Sequence, residues 1–321
     1  MKYPDFLVEL MEETLLAYPE VPTRTLAKRI YNDNKKFFRD VEQVRSALRR
    51  RRGNSGKNSM KTKHKRKNGE AGWTPKLPPS QAKAWEPFFI EAPNRVAVIS
   101  DIHLPYHNEE VLERWYADAQ EYEPSVILIN GDLLDFYRLS RFEKDPNNRD
   151  TAFEIDQAHT FFEWLVSGFE ADIIFKFGNH DERWEKYLWN HAPEFSKLKQ
   201  FSLHEILELE EFGITPVYEK RIVMAGNMPI LHGHEVQGSS SINPARSLAS
   251  KMSNSAMQSH CHRSSEYLER NVLGDWVKCY STGCMCELTP DFSRINRWNN
   301  GYAFVDVHED GTTEIQNVVI D

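Results

Sequence analysis

The stretch ADIIFKFGNHDERW, residues 171–184, runs from a short apolar segment into Gly, Asn, His, Asp, Glu and Arg. An apolar run of this length, rich in Ile and Phe, predicts a buried strand. Gly-Asn followed by polar residues is ordinary turn chemistry. The carboxyl end of a buried strand is also where open α/β sheets assemble their sites. The rest of the chain decides between the two readings.

Upstream, RVAVIS is a β-rich run, NEEVLERWYADAQEY is helical, SVILIN is a second run, and TAFEIDQAHTFFEWLVSGF is helical before ADIIFKF begins. This β-α-β-α-β succession predicts a parallel sheet core. Downstream, MPILH, SAMQSH, DWVKCYST, GYAFVDV and TTEIQNVVI read as further strands with fewer helices between them. Five runs end in residues that bind metals. RVAVIS leads into Asp101 and His103, SVILIN into Gly131, Asp132 and Asp135, and ADIIFKF into Asn179 and His180. MPIL leads into His232 and His234, and SAMQS into His260 and His262. Imidazole and carboxylate in comparable numbers, without thiolate, suit Mn, Fe or Zn. They are too many for one catalytic ion with an open position, whereas two ions sharing a carboxylate would use them.

The motifs in SDIHLPYH, GDLLDF, GNHDER, LHGHE and SHCHRS resemble, in order and spacing, those of the calcineurin-like metallophosphoesterase family over roughly residues 95–310. The last motif departs from the family's Gly-His-x-His by having Ser259 before His260. The resemblance implies an α/β fold, a β-sandwich flanked by helices (αββα), and a dimetal phosphoester hydrolase with Mn ahead of Fe or Zn. It implies one metal held by Asp101, His103, Asp132 and His262, and a second held by Asp132, Asn179, His232 and His260, so that Asp132 bridges. His180 would protonate the leaving oxygen, Asp135 would orient it, and His234 would stand outside the ligand set. Phe136-Tyr137 and Asp181 replace the residues expected in the family's serine/threonine protein phosphatases and argue against that branch. His107, Arg138, Arg141, Arg183, Ser239 and Arg263 follow the same strand ends and are candidates to touch a phosphate, although each taken singly reads as an ordinary loop residue.

The chain of 321 residues has a net charge of −8 that is unevenly divided. Residues 1–70 hold 18 Lys and Arg against 9 Asp and Glu, leaving 22 against 39 for the remainder. Residues 1–52 have helical periodicity and resemble a helix-turn-helix module, residues 53–72 read as a basic flexible linker, residues 73–94 as an extended lead-in, and residues 95–321 as the metallophosphoesterase domain. Eleven basic residues and no acidic one lie between Arg45 and Lys67. Arg45, Arg49, Arg52 and the Lys-rich linker are therefore expected to meet nucleic acid. The four cysteines, Cys261, Cys279, Cys284 and Cys286, have no zinc or redox spacing and read as reduced structural thiols. No run of eighteen apolar residues and no signal-peptide start occur, so a cytoplasmic protein without membrane contact is expected.

Three functional readings follow. One is a phosphodiesterase or nuclease recruited to nucleic acid. The second is a small-molecule or nucleotide phosphoesterase whose N-terminal region contacts protein. The third is a helix-turn-helix binding protein whose phosphoesterase domain is catalytically silent, and the complete ligand set weighs against it.

Overall fold

A computed structural model describes residues 3–53, 77–141, 150–236, 238, 242–290 and 293–320. The chain divides into two compact units, Met1–Ala82 and Lys83–Asp321.

In the first unit, helices α1 (Asp5–Ala17), α2 (Thr23–Asp33) and α3 (Val41–Arg51) enclose Leu7, Met11, Leu26, Ile30, Val44 and Leu48. Pro4 and Pro22 precede the first two helices, and the Asp40 carboxylate caps the third by accepting from Gln43 N at 2.8 Å. Arg52, one of the residues expected to meet nucleic acid, also makes contacts within the unit. Its guanidinium donates to the carbonyls of Tyr18, Pro19 and Val21 at 3.1, 2.7 and 2.8 Å and to Thr23 Oγ1 at 3.1 Å, tying the end of α3 to the turn before α2. Arg49 and Arg50 are exposed on the last turn of α3. All of the expected linker beyond Gly53, and the lead-in as far as residue 76, lie outside the described residues.

The second unit contains two six-stranded sheets. One has the order β12 (Thr313–Ile320), β11 (Asn300–Val307), β2 (Asn94–Ile99), β3 (Val126–Asn130), β4 (Asp172–Lys176), β5 (Ile214–Val217). Strands β2 to β5 are parallel, as the alternation of strands and helices predicts, and β11 closes against β2 in the antiparallel sense. The other sheet has the order β1 (Phe88–Ile90), β6 (Val223–Ala225), β7 (Met228–Ile230), β8 (Ala256–Gln258), β10 (Trp276–Ser281), β9 (Ser265–Arg270). The lead-in thus ends as an edge strand, with Phe88 in register with Val223.

Side chains alternate between two cores along the central strands. Val96, Val98, Val126, Leu128 and Ile174 pack with Val223, Ile230 and Met257 between the sheets. Ala97, Ile99, Ile127, Ile129, Ile173 and Phe175 instead meet Trp115, Phe161, Phe162 and Leu165 from helices Glu109–Tyr122 and Thr151–Gly168. Burial on both faces explains why these strands read as continuous apolar runs. Leu248 and Ala249, from helix Pro244–Met252, pack with Ala256 and Cys279 of the second sheet, completing the αββα layering. Among the described residues no helix is long and apolar enough to cross a membrane.

Candidate metal centre

Strand ends of both sheets deliver the polar clusters to one place. The loop after β2 is tied to the loop after β3 by Asp101 N donating to Gly131 O and His103 N to Asp132 O, both at 3.0 Å. The approach is close enough that a Cβ at Gly131 would strike His232, and one at Gly178 would strike Asp132. Both positions therefore require glycine. Asp101, His103, Asp132, His260 and His262 adopt left-handed backbone, with φ between 52° and 65°. Such conformations cost about 1–3 kcal/mol each and persist where the surroundings over-determine them.

Asp132 is central and buried. Its Oδ1 accepts from His180 N at 2.8 Å, while Oδ2 lies 3.3 Å from His232 Nε2, 3.9 Å from His103 Nε2 and 4.0 Å from His180 Nε2. Asp101 Oδ1 lies 3.1 Å from His262 Nε2, and Asp101 Oδ2 accepts from His260 N at 3.0 Å. His232 Nδ1 donates to Asn130 O at 2.7 Å, which turns Nε2 toward Asp132. Asp135 Oδ1 lies 3.1 Å from both His103 Nδ1 and His180 Nδ1, and the Asp135 carbonyl is 3.0 Å from the latter. One carboxylate therefore orients two imidazoles.

The donor set fits divalent cations. Asp101 Oδ1, Asp132 Oδ2, Asn179 Oδ1 and His232 Nε2 are buried without a hydrogen-bond partner, an arrangement that is costly unless something satisfies them. His103 Nε2 and His262 Nε2 stand 3.2 Å apart with their Nδ1 atoms turned elsewhere, close enough to share a proton or a cation. Burial opposes charging His232 and His262, yet Asp132 beside the first and Asp101 beside the second push both up to about 10. The cluster calls for positive charge. Ligand atoms of Asp132, His232 and His260 come within 4.8 Å of one another, as do those of His103, Asp132 and His180, and those of His103, His262 and Cys286. Cys286 Sγ is 3.8 Å from His262 Nδ1, and all four cysteines are free thiols.

His234 stands apart, with Nε2 3.3 Å from Glu182. Of the loop residues named from sequence, Arg183 reaches the centre: its guanidinium donates to Asp135 O at 2.7 Å and to His180 Nε2 at 2.9 Å. Arg183 and Arg141 line a cavity beside Asn179, and His107 lines a different one. Arg138 lies in the turn Tyr137–Leu139, Arg263 directly follows His262, and Ser239 lies outside the described residues.

Three further groups support the centre, and their roles in it were not assigned from the sequence. Buried Asp181 accepts from the backbone N of Asp132, Leu134 and Gly178 at 2.8, 3.2 and 2.7 Å, fixing two of the loops together. Lys176, fully buried, lies 2.5 Å from Glu235, whose carboxylate accepts from His232 N and Gly233 N and so holds the LHGHE loop. Glu154 accepts from Phe136 N at the turn after Asp135.

A family model described as calcineurin-like phosphoesterase matches residues 94–278, more than half the chain. This chain belongs to that family. Its fold is that of the family. Among relatives, it is 30% identical over 146 residues to the gene 54 protein of Mycobacterium phage D29, and 26% identical over 145 residues to that of Mycobacterium phage L5. Each match covers 44% of this chain and 56% of the phage protein. A dimetal phosphatase from Danio rerio aligns over 71% of this chain and 96% of its own, at 10% identity and a TM-score of 0.38.

Proposed function

We propose that this member of the family is a two-metal phosphodiesterase acting on nucleic acid. Asp101, His103, Asp132 and His262 would hold one ion, Asp132, Asn179, His232 and His260 the other, with Mn the first candidate. The observation that carries the two-ion assignment is Asp132: its buried, unpartnered Oδ2 faces imidazoles from three different strand-end loops. Bound divalent ions supply an activated water and offset the charge that grows on the phosphoryl oxygens.

The chain's own residues do the rest. Asp135 holds His180 Nδ1, so that Nε2 is the nitrogen offered to the leaving oxygen. An imidazole suits that task, because its ordinary pKa lies near neutrality and this one is not needed as a ligand. Arg183 occupies His180 Nε2 at 2.9 Å, and an incoming phosphate gives that guanidinium an anionic partner in exchange. The charge division supports nucleic acid as substrate or recruiter, because Arg49 and Arg50 on α3 run into a Lys-rich segment without acidic residues.

The test is a panel of bis(4-nitrophenyl) phosphate, 4-nitrophenyl phosphate and DNA, with metal content measured in parallel. Diester and DNA cleavage should exceed monoester cleavage. Asp132→Asn should lower occupancy of both sites and reduce turnover by more than the roughly 10–100-fold usual for a group that merely supports a ligand. Full occupancy and full turnover in that variant would sink the two-ion assignment, and preference for the monoester would replace the nuclease reading with the small-molecule one.

A further inference from the structure

The cavity beside Asn179 has a volume of about 690 Å³, within the roughly 300–1,000 Å³ of small-molecule sites. One wall is helix Arg183–His191, which contributes Arg183, Lys186, Tyr187, Asn190 and His191. Arg141 adds a third guanidinium or ammonium group, and among the described residues no acidic one lines the space. Lys186 is also paired with Glu182 at 2.6 Å.

An aromatic surface lies among these cations. Tyr187 stacks on His191 with ring centroids 4.3 Å apart and planes 21° apart, and His191 Nδ1 is 3.0 Å from the Tyr187 carbonyl. The tyrosine is held in place yet remains 39% exposed. A ring fixed beside cations, one turn of helix from a residue that touches the metal centre's histidine, matches the way proteins hold single-stranded bases: stacking for the base, cations for its phosphates.

The cavity's side of the centre follows from Arg183. That guanidinium both lines the space and touches His180 Nε2, the nitrogen a leaving oxygen must reach. A leaving group carried on that oxygen therefore has the cavity beside it.

Resting on the phosphodiesterase reading, we infer that this cavity receives the leaving group and that the leaving group is a nucleotide unit, its base against Tyr187 and its next phosphate toward Arg141 and Lys186. A sugar phosphate or a phosphorylated side chain would use the cations and leave the ring idle.

Binding tests this apart from turnover. Full-length protein in Mn²⁺ is titrated calorimetrically with deoxyadenosine 5′-monophosphate, with deoxyribose 5-phosphate, which lacks the base, and with a tetranucleotide. The base should tighten binding roughly 5- to 150-fold, the worth of one stacked base. Tyr187→Ala should bring that ratio near one and Tyr187→Phe should preserve it. A tetranucleotide that binds tighter than the mononucleotide supports a nucleotide unit within a nucleic-acid strand, and equal affinity supports a free nucleotide. Equal affinities with and without the base, or a preference that survives Tyr187→Ala, would overturn the inference. Failure of the phosphodiesterase reading would appear instead in the turnover panel.

Discussion

The two units of this chain hold charge under opposite conditions. In the N-terminal unit it lies on the surface: Arg45 pairs with Glu42 at 3.1 Å with side chains 35% and 62% exposed, and Arg49 and Arg50 are exposed. In the second unit it lies inside: Lys176 meets Glu235 at 0% and 9% side-chain exposure, and Asp101 and Asp132 are buried among histidines. Surface charge is screened and individually worth little. Buried charge must be matched at fixed geometry or it destabilises. The first kind can draw in a diffuse polyanion, and the second can demand an ion at one point.

The largest effect that would sharpen this contrast is expected at His180. Its replacement by Asn should leave metal content nearly unchanged while lowering turnover of an alkyl diester by about 10²–10⁴-fold, the usual worth of a positioned proton donor. With 4-nitrophenolate as leaving group the loss should shrink, since that oxygen scarcely needs the proton. Equal losses on both substrates would contradict the role.

Next in size is the buried ion pair. Lys176→Met strands the Glu235 carboxylate and should cost about 3–5 kcal/mol in chemical denaturation, with much of it restored in the double variant Lys176→Met, Glu235→Gln. Arg45→Ala, at the exposed pair, should cost no more than about 1 kcal/mol. Similar costs at the two pairs would erase the distinction.

A smaller effect concerns pH. Burial and the neighbouring Asp135 push Glu154 up to about 8, although the Phe136 N–H and Arg183 pull the other way. Between the ordinary carboxyl range and that value the native protein keeps a proton that the unfolded chain gives up. Stability from this group is therefore full at low pH and falls as pH rises toward 8. Glu154→Gln should lose less melting temperature than the parent between about pH 5 and 8. Parallel melting curves for the two proteins would rule this out.

The smallest change in fold stability should come from reversing Arg49 and Arg50 to Glu, within about 0.5 kcal/mol by denaturation. DNA binding should nevertheless weaken, and the slope of log affinity against log salt should flatten by about 1 for each phosphate no longer neutralised. An unchanged slope would mean that these cations meet no phosphate.

The sequence made the central sheet readable because strands buried on both faces are apolar without interruption, and the polar groups that follow them stand out by contrast. The polar loop groups converge in space as their position after strand ends suggested. What the sequence hid was short or held by distant partners. Phe88–Ile90 and Val223–Ala225 have three residues each, too few for a period, and β9, SEYLER, is almost wholly exposed. Helix Arg183–His191 has Trp184, Tyr187 and Leu188 at helical spacing, but it is only nine residues long and buries none of them, and the aromatic wall of the cavity is hidden with it. Lys176 with Glu235 and Glu154 with Phe136 are pairings across the fold that no local pattern encodes. Asp181 did leave a trace, since Gly178-x-x-Asp181 is spaced for a carboxylate to close its own turn.

The left-handed backbone at Asp101, His103, Asp132, His260 and His262 also limits how this protein can evolve. Asp, Asn and His are the side chains that both coordinate hard or borderline cations and tolerate positive φ, where they are enriched several-fold. Glutamate coordinates equally well but lacks that enrichment. Substitution at these positions is therefore filtered twice, once by what an ion would accept and once by the turn.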